Sequence, residues 1–136
     1  MTWDLTNYER MDDMGYRSDV HALFYTTRKE DLPALKLYMD ENYPEDFLPD
    51  LTYIQGEHLW GYEVVFENVK WYEDYEDVKA FTAFKTKYHA LIDEQEDDKK
   101  WKFEFVRVGE DTDDIEFEQE DSSYVLSVSR RIEAYY

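Results

Sequence analysis

The sequence predicts an α+β domain, an antiparallel sheet with two helices packed on one of its faces. Two stretches, "EDLPALKLYMDENYP" and "DYEDVKAFTAFKTKYHALIDE", repeat apolar residues at steps of three and four, the period of a helix buried along one side. Around them lie stretches in which apolar and polar residues alternate, the period of a half-buried strand. The chain has 136 residues, 43% hydrophobic and 18% aromatic, enough for one core and too aromatic for disorder. Four Gly and three Pro leave little room for linkers, so residues 1–136 form a single domain, with 1–18 as an N-terminal arm or a short helix.

The first strand is "DVHALFYTT", Asp19 to Thr27, with Val20, Ala22 and Phe24 on one face and Leu23 and Tyr25 on the other. The first helix follows. Leu32, Leu35 and Met39, with Tyr38 beside them, share a face; Pro33 fits only its first turn, and Asn42 and Pro44 end it. "LTYIQGEHLWGYEVVFEN" reads as a hairpin: Leu51 to Gln55, a turn at Gly56 and Glu57, then His58 to Asn68 with Trp60, Tyr62, Val64 and Phe66 on one face.

The second helix carries Val78, Phe81, Phe84, Tyr88, Leu91 and Ile92 and runs to about Glu94. Asp74 is its expected N-cap, able to accept the backbone N–H of Asp77 or its neighbour, and Glu76 and Asp77 in the first turn complement the helix dipole. "WKFEFVRV" is a strand, "GEDTDD" a turn and "IEFEQE" a returning strand. "SYVLSVSRRIEAYY" completes the series, with Tyr124, Leu126, Val128 and Ile132 on one face. The order β-α-β-β-α-β matches the ferredoxin-like, split βαβ plan, with the last two strands extending the sheet as a C-terminal meander.

Charge sets this chain apart. Fifteen Lys and Arg stand against 34 Asp and Glu, a formal net charge of −19. Solubility in a small domain is met by a magnitude of about 2–8, and a larger excess repels itself. Direct binding to nucleic acid or to an anionic membrane is disfavoured, and a basic protein surface is favoured. Cysteine is absent, which excludes disulfides, thiolate metal sites and thiol nucleophiles and suits a reducing cytoplasm. No apolar run approaches the roughly 20 residues of a membrane span, and "MTWDLTNYERMDDMG" lacks the basic-then-apolar order of a secretory signal.

Motifs for chemistry are missing. No G-x-S-x-G is present, and Ser122, Ser123, Ser127 and Ser129 lie in or beside a strand without glycine support. His21, His58 and His89 have no metal spacing, and Gly56, Gly61 and Gly109 are isolated, so no phosphate loop or dinucleotide fingerprint exists. "WKFEFVRV" departs from the base-stacking pattern of RNA-binding sheets of this plan. In "GEDTDDIEFEQED", counted from Asp111, the sixth residue is Glu116 and the twelfth Ser122, so an EF-hand loop is absent. No catalytic residue, cofactor or metal is assigned.

The acids themselves remain. Glu116, Glu118 and Glu120 share one strand face, alternate residues lying about 6.7 Å apart, with Asp113 and Asp114 at the turn and Glu104 as a neighbour on the adjoining strand. A second cluster, Glu73, Asp74, Glu76 and Asp77, is flanked by Tyr72 and Tyr75 as aromatic anchors. Nucleic acid carries a charge every about 3.4 Å along each strand, so one row of carboxylates has about half that density and mimicry needs two rows on one face. The blander readings are a solvated strand face and charged edges that block aggregation.

In size, lack of cysteine, acid excess and aromatic content, the chain resembles virus-encoded DNA-mimic and host-takeover proteins. The resemblance covers bulk composition and no motif, so it carries over no residue. It implies a non-enzymatic inhibitor, active in the host cytoplasm, that occupies the basic nucleic-acid-binding surface of a restriction, CRISPR or transcription protein. Two alternatives stand beside it: a metal-dependent hydrolase using clustered carboxylates, and a structural or regulatory module whose acidity reflects a saline environment. Self-association is a further expectation, through the tyrosine-rich end "RRIEAYY", where Arg130 and Arg131 would meet acids of a second copy in a homodimer. Reversing Glu116, Glu118 and Glu120 together is expected to weaken partner binding without unfolding the domain.

Overall fold

β1 (Ser18–Thr26) is hydrophobic on both sides, and that composition places it at the centre of the sheet. Val20, Ala22, Phe24 and Leu23 are fully buried and Tyr25 nearly so. The structure, a computed structural model, describes residues 16–95, 101–111, 113–119, 126–128 and 132–134. The remaining elements are a 3₁₀ turn (Lys29–Asp31), α1 (Leu32–Asn42), β2 (Thr52–Gln55), β3 (Trp60–Val69), α2 (Glu76–Glu94), β4 (Trp101–Gly109) and β5 (Ile115–Gln119), then the short strands β6 (Leu126–Val128) and β7 (Ile132–Ala134).

Five strands form one antiparallel sheet in the order β2-β3-β1-β4-β5. β1 lies between β3 and β4, as the split βαβ plan requires, and β5 extends the sheet beyond it. Both helices pack on one face, where Leu35 and Met39 of α1 and Phe81, Phe84, Tyr88 and Ile92 of α2 meet Phe24, Val64, Phe66, Phe103 and Phe105. Phe24 is the hub. Its ring centroid is 4.9 Å from Tyr88, 5.1 Å from Phe103 and 5.2 Å from Phe84. Each such aromatic pair adds about 0.5–1.5 kcal/mol beyond the area it buries.

The other face holds a second cluster of Leu23, Tyr25, Ile54, Leu59 and Val106. β6 and β7 are not added to the large sheet. They pair with each other, Leu126 with Ala134 and Val128 with Ile132, as a separate two-stranded sheet in contact with β4 and β1. Of the expected meander, therefore, β5 joins the sheet and the last stretch is a hairpin. Alternation of period two is the same for one long strand as for the two arms of a hairpin, so the pattern does not separate them. Tyr124 and the Arg130–Arg131 pair lie outside the described residues, as do residues 1–15 of the N-terminal segment.

Two local features position the sites. At the end of β3, Ser18 pairs with Val69 but Val20 with Phe66, so Glu67 and Asn68 bulge opposite Asp19. Asn68 takes the left-handed conformation (φ 52°), and its N–H donates to Asp19 Oδ1 at 2.7 Å. In the loop from α1 to β2, Tyr43 and Leu48 turn inward, and the Tyr43 hydroxyl donates to the Pro49 carbonyl. The N–H of Phe47 donates to the Pro44 carbonyl at 3.1 Å. Among the described residues no helix is long and apolar enough to cross a membrane.

Candidate functional site

A cleft of about 740 Å³ opens where α2 crosses the β4–β5 edge of the sheet, bordered by Trp71, Glu73, Lys79, Lys85, Arg107 and Glu116. It brings together the two acidic segments expected from sequence, for Glu73 of one and Asp114 and Glu116 of the other lie on its walls.

Arg107 organises the β5 side. Strand register sets it directly across from Glu116. Its Nε donates to Glu116 Oε1 at 2.7 Å, its Nη2 to Asp114 Oδ1 at 2.6 Å, and its Nη1 to Asp114 Oδ2 at 3.1 Å and to Ser18 Oγ at 2.9 Å. The fork geometry of the guanidinium meets two carboxylates at once. Tyr16 completes the cluster, donating to Asp114 Oδ2 at 2.7 Å and accepting from the Asp111 N–H at 2.9 Å. A Cβ at Gly109 would collide with the Asp114 carboxylate and the Tyr16 ring, so a larger residue there would make these side chains shift. The Arg107 hydrogen bonds, with that from Tyr16, hold Asp114 below its usual pKa, and Asp114 in turn raises that of Arg107.

Glu118 is met from the helix. Lys85 Nζ lies 3.0 Å from its Oε1 and 4.8 Å from the centre of the Phe105 ring, and His89 Nε2 is 3.9 Å from its Oε2. Glu116 and Glu118 do share a face, as the alternation predicts, but it is the helix-bearing face, and each carboxylate ties β5 to another element. Reversing them would set new cations against Arg107 and Lys85, so that change would act on the attachment of β5 as well as on a partner. Glu120 lies outside the described residues, and Asp113 is exposed.

Glu104 is not part of that row. It pairs with Gln119 on the opposite face, is 1% exposed, and accepts a hydrogen bond from the Tyr25 hydroxyl at 2.6 Å. The strand pleat puts residues of odd and even number on opposite sides of β4, so Arg107 and Glu104 cannot face the same way.

In the second cluster the N-cap of α2 is Tyr75, not Asp74. A turn closed by Tyr75 N–H to Tyr72 O (3.0 Å) delays the helix, leaving Asp74 one position too early to reach its first free N–H groups. Asp77 instead accepts the N–H of Val78 at 2.8 Å. Tyr72 and Tyr75 meet edge to face at 5.3 Å and are partly exposed, while Glu73, Asp74 and Glu76 point into solvent. Lys79 stands on the same cleft wall.

The loop from α1 to β2 was not singled out by sequence reasoning, because "NYPEDFLPD" has neither helix nor strand period. It exposes Glu45, Asp46 and Asp50 around Phe47, itself 57% exposed, with Glu41 exposed at the end of α1. An acid–aromatic run between two prolines was the available signal. None of these four acids makes an ion pair with a described residue. The histidines remain apart in role: His21 approaches Glu63 at 3.5 Å, His89 lies beside Phe103, and His58 is exposed next to Glu57. Among the described residues, no group of three or more His, Cys, Asp or Glu is placed to hold a metal ion.

No protein-family model matches the chain, and neither curated proteins nor solved structures yield a similar one.

Proposed function

We propose that this is a non-enzymatic acidic binding protein that occupies the basic nucleic-acid-binding surface of a partner protein, in the manner of a DNA mimic. The observation that carries the reading is that much of the acid surplus is displayed rather than used in the fold. Glu73 and Asp74 before α2, Glu76 at its start, Asp113 before β5, Glu41 at the end of α1, and Glu45, Asp46 and Asp50 after it are all exposed and make no ion pair with a described residue. Displayed carboxylates steer encounter with a basic surface, and aromatic anchors such as Tyr72 and Tyr75 lengthen residence. Glu116, Glu118 and Asp114 contribute less to such a surface, since Arg107 and Lys85 offset them. Inhibition would follow from competition for the site alone.

Affinity capture from a cell lysate, eluted with stepped salt, tests this. One nucleic-acid-binding protein retained beyond physiological salt and displaced by added DNA is the expected result. A broad set of basic proteins lost at low salt, none displaced by DNA, would refute it.

A further inference from the structure

A second cleft, of about 670 Å³, lies between α1, the loop that follows it and the β2–β3 hairpin. Its chemistry differs from that of the Arg107 cleft. Tyr53 and Tyr62 supply aromatic surface over the buried Tyr43, and Asp40, Glu45 and Asp50 supply carboxylates. Among the described residues, the one cation on its wall, Lys36, is already matched by Asp40 at 3.2 Å, which leaves Glu45 and Asp50 as surplus charge. Tyr53 is 48% exposed and meets the half-buried Tyr62 edge to face at 5.8 Å, so the pair places aromatic surface beside the acids. Burial, with Asp50 and Glu45 adding to it, pushes the Tyr43 hydroxyl above its usual pKa; burial also raises that of Tyr62, where Asp40 adds to the rise and Lys36 opposes it.

Aromatic faces bordered by uncompensated carboxylates suit one kind of group, a planar delocalised cation that stacks on a ring while its N–H donors fork to an acid. We infer that this cleft receives an arginine side chain from a basic segment of a partner protein. The inference deepens the reading of the protein as a ligand of basic surfaces and rests on it. Charge complementarity selects the occupant: a second copy of this chain would bring a further −19, whereas an arginine-rich segment supplies what the cleft lacks. The Arg107 cleft is a poorer receptor, because Lys79, Lys85 and Arg107 already stand in it.

The test is titration of the isotope-labelled full chain with an acetylated hexa-arginine peptide at physiological salt, followed by NMR. Resonances of the α1–β2 loop, Tyr53 and Tyr62 are expected to shift. Tyr53→Ala, and separately the pair Glu45→Gln with Asp50→Asn, should each weaken binding by about fivefold or more. Glu67→Gln with Glu94→Gln, an equal charge change at exposed sites elsewhere, should leave affinity unchanged. Circular dichroism checks that each variant is folded, and the two acid substitutions serve if Tyr53→Ala is not. Equal weakening by both charge pairs, equal binding of hexalysine, shifts confined to the Arg107 cleft, or a dimer that Tyr53→Ala abolishes would each overturn the assignment. Capture separates the two claims. If Tyr53→Ala and the Glu45/Asp50 pair still retain a DNA-displaced partner, the cleft fails and the function stands; if peptide binds here but no partner is displaced by DNA, the function fails and the cleft stands.

Discussion

At β5, Asp114, Glu116 and Glu118 each meet a cation from a neighbouring element, whereas on the loop after α1, Glu45, Asp46 and Asp50 meet none among the described residues. The two regions are alike in acid density and differ in what surrounds them. β5 is an edge strand held by a single neighbour in the sheet, and its carboxylates help to fasten it to β4 and α2. The loop needs no such fastening, because Tyr43 and Leu48 anchor it through the core. Acids that perform a structural task are the ones matched with cations. Those with no such task are left unmatched among the described residues.

The comparison breaks most readily at Arg107. Replacing it with Met removes the shared partner of Asp114 and Glu116 and leaves the two facing each other. A loss of about 2 kcal/mol in unfolding free energy is expected, less than the roughly 3–5 kcal/mol of a fully buried pair because both carboxylates keep water contact. Urea denaturation with an unchanged m-value measures it. No change in midpoint would mean that β5 does not depend on these pairs. Gly109→Ala strikes the same cluster sterically, and a loss of about 1–2 kcal/mol follows if the Tyr16 and Asp114 contacts must give way. Wild-type stability with both contacts intact would remove the case for glycine there.

Acid titration sharpens the contrast further. Asp114 has a lowered pKa in the folded state, so the folded chain binds that proton less readily than the unfolded one. Its contribution is therefore complete above the ordinary Asp value of about 3.9 and is lost as pH falls through the lowered one. Asp114→Asn should flatten this part of the acid limb, and an unaltered limb would show that the pair carries no pH dependence. The smallest effect belongs to the loop. Glu45→Gln with Asp50→Asn should change stability by no more than about 0.5 kcal/mol, with any change a gain from relieved repulsion. A clear loss in the same urea experiment would give these acids a structural task and erase the distinction.

Much of the architecture was legible because burial leaves a period. The apolar steps of α2 from Val78 to Ile92 and the two-sided hydrophobicity of β1 follow directly from which faces the core covers. Pairings between distant segments leave no such trace. Nothing near Tyr16 reveals that its hydroxyl ends beside Asp114, and only register tells that Glu116 faces Arg107 while Glu104 turns to the other side. The cap of α2 was misplaced for a similar reason, since the turn that makes Tyr75 the boundary lies in backbone hydrogen bonding rather than in residue type. The α1–β2 loop escaped notice because its order comes from Tyr43 reaching the Pro49 carbonyl, a bond that has no periodicity to read.

That same bond bears on the thermodynamics of capture. A chain segment that must be ordered on binding loses about 1–2 kcal/mol of backbone entropy per residue. Here the segment between Tyr43 and Pro49 is already tied down by the hydroxyl above and by Leu48 below. Attraction between its carboxylates and a cation is then not spent on organising the receptor. On the proposed reading, a short, few-contact encounter on this loop would then reach an affinity that a floppy acidic tail of the same charge would not.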